Sequence, residues 1–312
     1  MTDRIARLVK RGLALGRSPV LRWGFAVVAI TLAVWAIAGR RTEVVAALGR
    51  LQARYLVLAA AATAANLVLT GLAWRALLID LGSRLPLPAA ARVFFVGQIG
   101  KYVPGSVWPV VVQAELARDH GVPRRRTAAA TMVMILLSAA TALVVVLAAL
   151  PFVPQVAEGG FGWTLLLVVP LLVVLHPRVL GPLLDRVLAL IGGEPLEQSP
   201  SVRGTAIATG WALASWVAAG IQVWLLAVSL GAATSGRTLA LAVGGYALAW
   251  AVGLVVVIAP AGAGAREVAL AAALAPVLDG GGVLVVVLAS RVLFSVADLI
   301  AAAAGYTLAR RP

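Results

Sequence analysis

The run Gly97 to Gly121, GQIGKYVPGSVWPVVVQAELARDHG, sets Lys101, Pro104, Gly105 and Glu115 inside an otherwise apolar sequence. A second interruption, Pro260 to Glu267 (PAGAGARE), repeats the combination of helix breakers and charge in the other half of the chain. Unpaired backbone groups are so costly in lipid that such a break is tolerated only where protein or a water-filled cavity surrounds it, so the two breaks are read as a site. Lys101 precedes Tyr102-Val103-Pro104-Gly105, and a short helix expected from about Ser106 would turn its free N–H groups toward the break. An ammonium beside a helix N-terminus favours phosphate or carboxylate. Gly262 and Gly264 open a second helix whose first turn carries Arg266 and Glu267, and the planar guanidinium fork suits a phosphodiester bidentately. Two plainer roles stand beside these: Lys101 snorkelling to an interface, and Arg266 held in a structural pair with a carboxylate.

Glu115, Glu267 and Asp298 are the carboxylates expected within the membrane or at its edge. Arg291 and Asp298 lie seven apart on one apolar segment and share a helix face, but a rise of about 10.5 Å keeps them from pairing directly. The candidate pairs are Arg291 with Glu267, and Asp298 with Arg266 or Lys101; they either hold the broken elements together or couple to protons. Trp108, Trp211, Trp216, Trp224 and Trp250 are read as core or interface anchors without a ligand.

Several chemistries are excluded. The chain has no cysteine, hence no disulfide, thiolate metal site or thiol nucleophile, and its two histidines, His120 and His176, cannot build a histidine-rich metal centre. The Gly-rich text GAGAR lacks the strand context of a dinucleotide fold and the Lys-Ser/Thr of a phosphate loop. No Ser, His and Asp arrangement stands out, so neither an enzyme, a cofactor nor a metal is expected. The net charge of +14 lies beside apolar spans rather than on an aromatic-interleaved basic face, which favours anionic lipid over nucleic acid.

These residues must be carried by helices in a bilayer. With 62% hydrophobic and 12% charged residues and a mean hydropathy of +1.01, the chain is an all-α polytopic membrane protein. Membrane helices are predicted at 20–39, 55–79, 127–150, 161–175, 205–228 and 283–308, with two broken elements at 88–119 and 238–277. If both broken elements are re-entrant, most Lys and Arg, including Arg84, Arg92, Arg118, Arg124, Arg125, Arg126 and Arg203, fall on the cytoplasmic side with both termini. Arg40, Arg41, Arg50, Arg54 and Arg237 remain outside. The offset that superposes the breaks also carries 127–150 onto 283–308. The expected architecture is a single membrane domain, 1–312, of two inverted repeats, 20–150 and 161–309, each with three transmembrane helices plus a re-entrant helical hairpin. Segments 3–15 and 178–192 mix basic and aliphatic residues at near-helical spacing, as interfacial amphipathic helices do. The N-terminus lacks a cleavable signal pattern and is expected in the mature chain.

Gly100-Lys101-Tyr102-Val103-Pro104-Gly105-Ser106-Val107-Trp108, followed by Gly121-Val122-Pro123-Arg124-Arg125, resembles the first signature of the flippase-like family of the lysylphosphatidylglycerol synthase transmembrane region. Pro260-Ala261-Gly262-Ala263-Gly264-Ala265-Arg266-Glu267 is similar to its second, commonly Pro-Gly-Gly-x-Gly-x-Arg-Glu. Gln113 stands where many relatives have arginine, and Ala261 and Ala263 replace glycine and a bulkier residue. The resemblance implies a stand-alone member without the aminoacyl transferase domain, in the bacterial cytoplasmic membrane. It would move an anionic phospholipid or polyprenyl-phosphate-linked glycolipid, with Lys101, Tyr102, Pro104, Gly105, Ser106, Gln113, Gly262, Gly264 and Arg266 at the head group. The alternative is a non-transporting, lipid-binding subunit of a separate lipid-modifying transferase.

Overall fold

A computed structural model describes residues 38–102, 108–152, 173, 177–190, 198–255 and 264–308. All regular structure among them is helical. In chain order the helices are α1 (Arg41–Arg50), α2 (Ala53–Asp80), α3 (Leu87–Ala91), α4 (Trp108–Arg118), α5 (Arg124–Ala149), α6 (Pro177–Leu190), α7 (Val202–Ser229), α8 (Gly236–Val255), α9 (Ala265–Leu274) and α10 (Gly280–Leu308). A π-helical turn, Arg92–Val96, and a 3-10 turn, Ile99–Tyr102, continue α3 toward the first break.

The helices predicted at 55–79, 127–150, 205–228 and 283–308 correspond to α2, α5, α7 and α10. Segments 3–15, 20–37 and most of 161–175 lie outside the described residues; α6 answers to the helix expected at 178–192. Among the described residues five helices are long and apolar enough to cross a membrane; besides the four above, the fifth is α8, the first arm of the second broken element. Only 28% of the apolar window of α2 and 33% of that of α10 is buried, at mean hydropathies of 1.9 and 2.3. Their free faces carry residues such as Val57, Leu299 and Ile300, each more than half exposed. Apolar surface on that scale is stable only against lipid, so the protein is a multi-pass membrane protein.

The central contact is α2 packed lengthwise on α7. Three polar rungs cross it. The Gln52 N–H donates to Ser229 Oγ at 2.9 Å, Asn66 Nδ2 to the Ser215 carbonyl at 2.8 Å, and the Ser201 N–H to Asp80 Oδ2 at 2.7 Å. The rungs are evenly spaced and run in opposite directions on the two helices, so the pair is antiparallel. In an apolar medium each supplies a partner that neither lipid nor aliphatic packing can. At the Asp80 end the cap is shared: Ser201 Oγ donates to Asp80 and accepts from the Gly204 N–H at 3.0 Å, which closes the first turn of α7. A Cβ on Gly204 would lie 2.0 Å from the Asp80 carboxyl carbon, so the close approach requires glycine there.

The rungs also define the two ends of the bundle. At the Asp80 end, Arg126 donates to the Gly82 carbonyl at 2.9 Å, while Arg124 and Arg118 clamp Glu115 at 2.6 and 3.3 Å. At the Gln52 end, Arg50 meets Asp279 at 2.9 Å. The first broken element therefore leaves α2 and enters α5 at one end, and the second leaves α7 and enters α10 at the other. Within each element the arms pack together: the π and 3-10 turns against α4, and α8 against α9. The closeness needs glycine again, because a Cβ on Gly100 would stand 2.9 Å from the Trp108–Pro109 backbone, and one on Gly245 2.6 Å from the Ala273 methyl. The elements also lean across the chain, with the first against α10 and α8 against α5.

Candidate functional site

Between the broken elements lies a cavity of about 280 Å³. Asn66 and Ser215, the middle rung of the α2–α7 pair, form part of its wall, which sets the cavity midway along the spans. The first element contributes Phe94, Gln98, Lys101 and Tyr102, and α4 adds Pro109 and Gln113. The second contributes Tyr246 and Trp250 from α8, and Arg266 and Glu267 from α9; α10 closes one side with Ser290, Arg291, Ser295 and Asp298. Residues flanking breaks that are far apart in sequence thus face one space.

Lys101 has a dedicated partner. Its Nζ sits 2.6 Å from Asp298 Oδ2, and the Tyr102 hydroxyl donates to the same oxygen at 2.6 Å. Only 2% of the Asp298 side chain is exposed. An isolated carboxylate there would carry a large desolvation penalty, which the ammonium and the phenol offset together. Of the two partners considered for Asp298, Lys101 is the one present.

Arg266 is held differently. It donates a short hydrogen bond to the Tyr246 hydroxyl, and its guanidinium carbon stands 4.8 Å from the centre of the same ring. Tyr246 is fixed from behind by Phe294, stacked at 5.1 Å, and by Trp216 at 6.2 Å. No carboxylate pairs with Arg266 among the described residues. A tyrosine orients an arginine without neutralising it, so the cation keeps its charge and most of its donors for something else.

Glu267 and Arg291 form the expected pair, 3.5 Å apart. Glu267 also accepts the Gly264 N–H at 2.6 Å, closing the first turn of α9. Gly264 has φ 85°, in the left-handed region where a side chain is strained, which explains a glycine one residue before the helix. One of the helix N-terminal donors expected to face an anion is therefore already bound by the protein's own carboxylate.

Gln113 is almost fully buried. Its side-chain oxygen faces the Thr131 hydroxyl at 2.5 Å, and Trp74 Nε1 donates to that hydroxyl at 3.1 Å. It supplies a neutral, well-packed patch of wall. Glu115 is half exposed at the Asp80 end, between Arg118 and Arg124, and plays no part in the cavity. Two arginines near the polar end of its short helix outcompete any deeper partner. Pro104, Gly105, Ser106 and Gly262 lie outside the described residues. Trp216 and Trp250, read from the sequence as anchors, form cavity wall as well, whereas Trp108 and Trp211 are partly exposed, as lipid-facing residues would be.

Tyr246 escaped the sequence reading, and so did Ser295, which the Tyr102 hydroxyl approaches at 3.4 Å. The one sequence signal for Tyr246 was a tyrosine following Gly244-Gly245 in an apolar helix. Its partner becomes visible only once α9 folds back on α8.

A comparison with curated proteins returns no match. The family model of the lysylphosphatidylglycerol synthase TM region matches residues 21–302, which include both breaks and every cavity residue named above. On that match the chain belongs to the family of the lysylphosphatidylglycerol synthase transmembrane region.

Proposed function

We propose that the protein is a lipid translocator that moves an anionic phospholipid or a polyprenyl-phosphate-linked glycolipid across the bacterial cytoplasmic membrane. The observation that carries this reading is the mid-depth cavity, in which a cation from each broken element faces a common space and Arg266 has no carboxylate partner among the described residues. An anionic head group would cross through the cavity while its tails stay in lipid. Lys101, Tyr102, Gln113 and Arg266 would meet the head group, the last through a bidentate contact. The reading involves no bond-making step in the protein.

In this reading the broken elements are re-entrant hairpins of two inverted repeats, 20–150 and 161–309. The antiparallel α2–α7 ladder supports it, as does the way each element starts and finishes at one end of the bundle. The Asp80 end, with Arg118, Arg124 and Arg126, is taken as cytoplasmic, together with both termini. Because the native chain has no cysteine, single-cysteine labelling tests the topology cleanly. Cysteines at Gly236 and Val277 should label from the outside and one at Asp119 only from the inside; opposite sides for Gly236 and Val277 would make the second element a full crossing.

The functional test is a leaflet assay on purified protein in liposomes containing fluorescent phosphatidylglycerol. Wild-type protein should equilibrate label between leaflets without a partner, and Arg266→Ala should not. Wild-type levels of crossing by a well-folded Arg266→Ala protein would remove the phosphate-clamp reading. Crossing only in the presence of a co-purified transferase would make the chain a lipid-presenting subunit instead.

A further inference from the structure

We infer that the cavity is matched to a head group bearing one negative charge, a phosphodiester monoanion, and that Asp298 sets this preference. The inference rests on the head-group reading above and specifies its substrate class.

Among the described residues, the charged side chains in the cavity wall are Lys101, Arg266, Arg291, Glu267 and Asp298. Three cations against two carboxylates leave a surplus of one positive charge. The break sequences 103–107 and 256–263 contain no ionisable side chain, so they add nothing to this sum. The surplus also has an address: Asp298 binds Lys101 and Glu267 binds Arg291, while among the described residues Arg266 meets Tyr246, through its hydroxyl and ring, and no carboxylate.

Net charge in a low-dielectric space is costly, and the cost grows with its square. A bound monoanion takes the cavity from +1 to zero. A bound dianion takes it from +1 to −1, which leaves a residual charge of equal size and adds the greater desolvation of a doubly charged group. A single charge on a phosphodiester is therefore the favoured occupant, and a phosphomonoester or pyrophosphate dianion is disfavoured. Asp298 is the switch because it is the carboxylate with 2% side-chain exposure, beyond the reach of solvent screening. Replaced by the isosteric asparagine, it leaves a surplus of two, and the preference should pass to the dianion.

The test measures binding to purified, detergent-solubilised protein at pH 8 through intrinsic fluorescence, since Trp74, Trp216 and Trp250 line the cavity. The probes are glycerophosphoglycerol, a monoanion, and glycerol 3-phosphate, a dianion at this pH because the second phosphate pKa is about 6. Wild-type protein should bind the monoanion more tightly by about tenfold or more, equal to about 1.4 kcal/mol of selectivity. Asp298→Asn should shift that ratio by at least about tenfold toward the dianion. Lys101→Met with Asp298→Asn restores the surplus of one without the ion pair, and should restore the monoanion preference.

The double variant separates charge balance from local structure: lost selectivity despite restored charge would mean that Asp298 acts through geometry, overturning the inference. Equal binding of both probes by the wild type, or an unshifted ratio in a folded Asp298→Asn protein, would also overturn it, while leaving a head-group site in place. Failure of folded wild-type protein to bind either probe would defeat the head-group reading itself.

Discussion

The two broken elements present one cation each to the same cavity, and the protein treats the two oppositely. Lys101 is tied to a buried carboxylate on α10 at 2.6 Å, with Tyr102 on the same oxygen. Arg266 is aimed by a tyrosine and left charged. Both arrangements use a phenol. In the first, the phenol helps a carboxylate tolerate burial; in the second, it positions a guanidinium without cancelling it. Similar layouts thus differ in charge balance: one cation is paired with a buried carboxylate, while the other is held by a tyrosine with no carboxylate partner among the described residues.

The largest expected effect breaks the second side. Arg266→Ala should lower lipid crossing by about a hundredfold or more, because two charge-assisted hydrogen bonds to phosphate are lost at about 1.5–3 kcal/mol each. Arg266→Lys should fail nearly as badly, since an ammonium cannot reproduce the planar fork. Both are read in the leaflet assay, with melting temperature as the folding control. If melting temperature falls instead and transport per folded molecule holds, Arg266 belongs with Lys101 as a fastener.

Next comes Tyr246→Phe, which keeps the ring under the guanidinium and removes the hydroxyl. Crossing should fall by about tenfold, the value of one hydrogen bond to a charged group, about 1.4 kcal/mol. An unchanged rate would mean that the ring face alone positions Arg266.

Lys101→Ala should weaken crossing less than Arg266→Ala and cost more stability, about 1–3 kcal/mol. The discount from a fully buried pair reflects a Lys101 side chain that is 32% exposed. Adding Asp298→Asn should recover most of the melting temperature by removing the orphaned charge. A double variant no more stable than the single would show that the ion pair fastens nothing.

A smaller effect is expected at the end of the bundle. Asp80→Ala removes the acceptor of two Ser201 donors and disturbs the first turn of α7, at about 1–2 kcal/mol by thermal melting with little change in transport rate. The smallest is at Asp279, whose carboxyl is held below its usual range first by the Gly282 N–H and then by Arg50, with burial opposing weakly. A depressed folded value means that this contribution is complete above the ordinary carboxylate pKa and is lost as pH falls through the lower folded value. Comparing melting of wild-type and Asp279→Asn proteins from pH 7 down to pH 3 should show a difference that shrinks toward the acid end. A constant difference would assign it to something other than ionisation.

Composition and hydropathy determined the membrane class, because lipid admits few alternatives to closed helices and a span has a required length. The helices α2, α5, α7 and α10 were accordingly legible within a few residues. The sequence interruptions at Gly97–Gly121 and Pro260–Glu267 were visible too, since Pro, Gly and charge inside apolar sequence have few explanations, and Lys101, Tyr102, Arg266 and Glu267 beside them line the cavity. Periodicity also placed Arg291 and Asp298 on one face, and carboxylate chemistry limited their partners to a short list.

Which partner won was a tertiary matter. Asp298 chose Lys101 over Arg266 because the first element leans on α10, a contact between distant parts of the chain that carries no local sequence signal. Tyr246 came to hold Arg266 because α9 folds back along α8, which a tyrosine in an apolar helix does not announce. Glu115 went to the bundle end because Arg118 and Arg124 meet there, where the turn into α5 brings them. The sequence by itself determined which residues lipid could not accept unaccompanied; only the packing of the two broken elements decided which cation would be neutralised and which would stay charged.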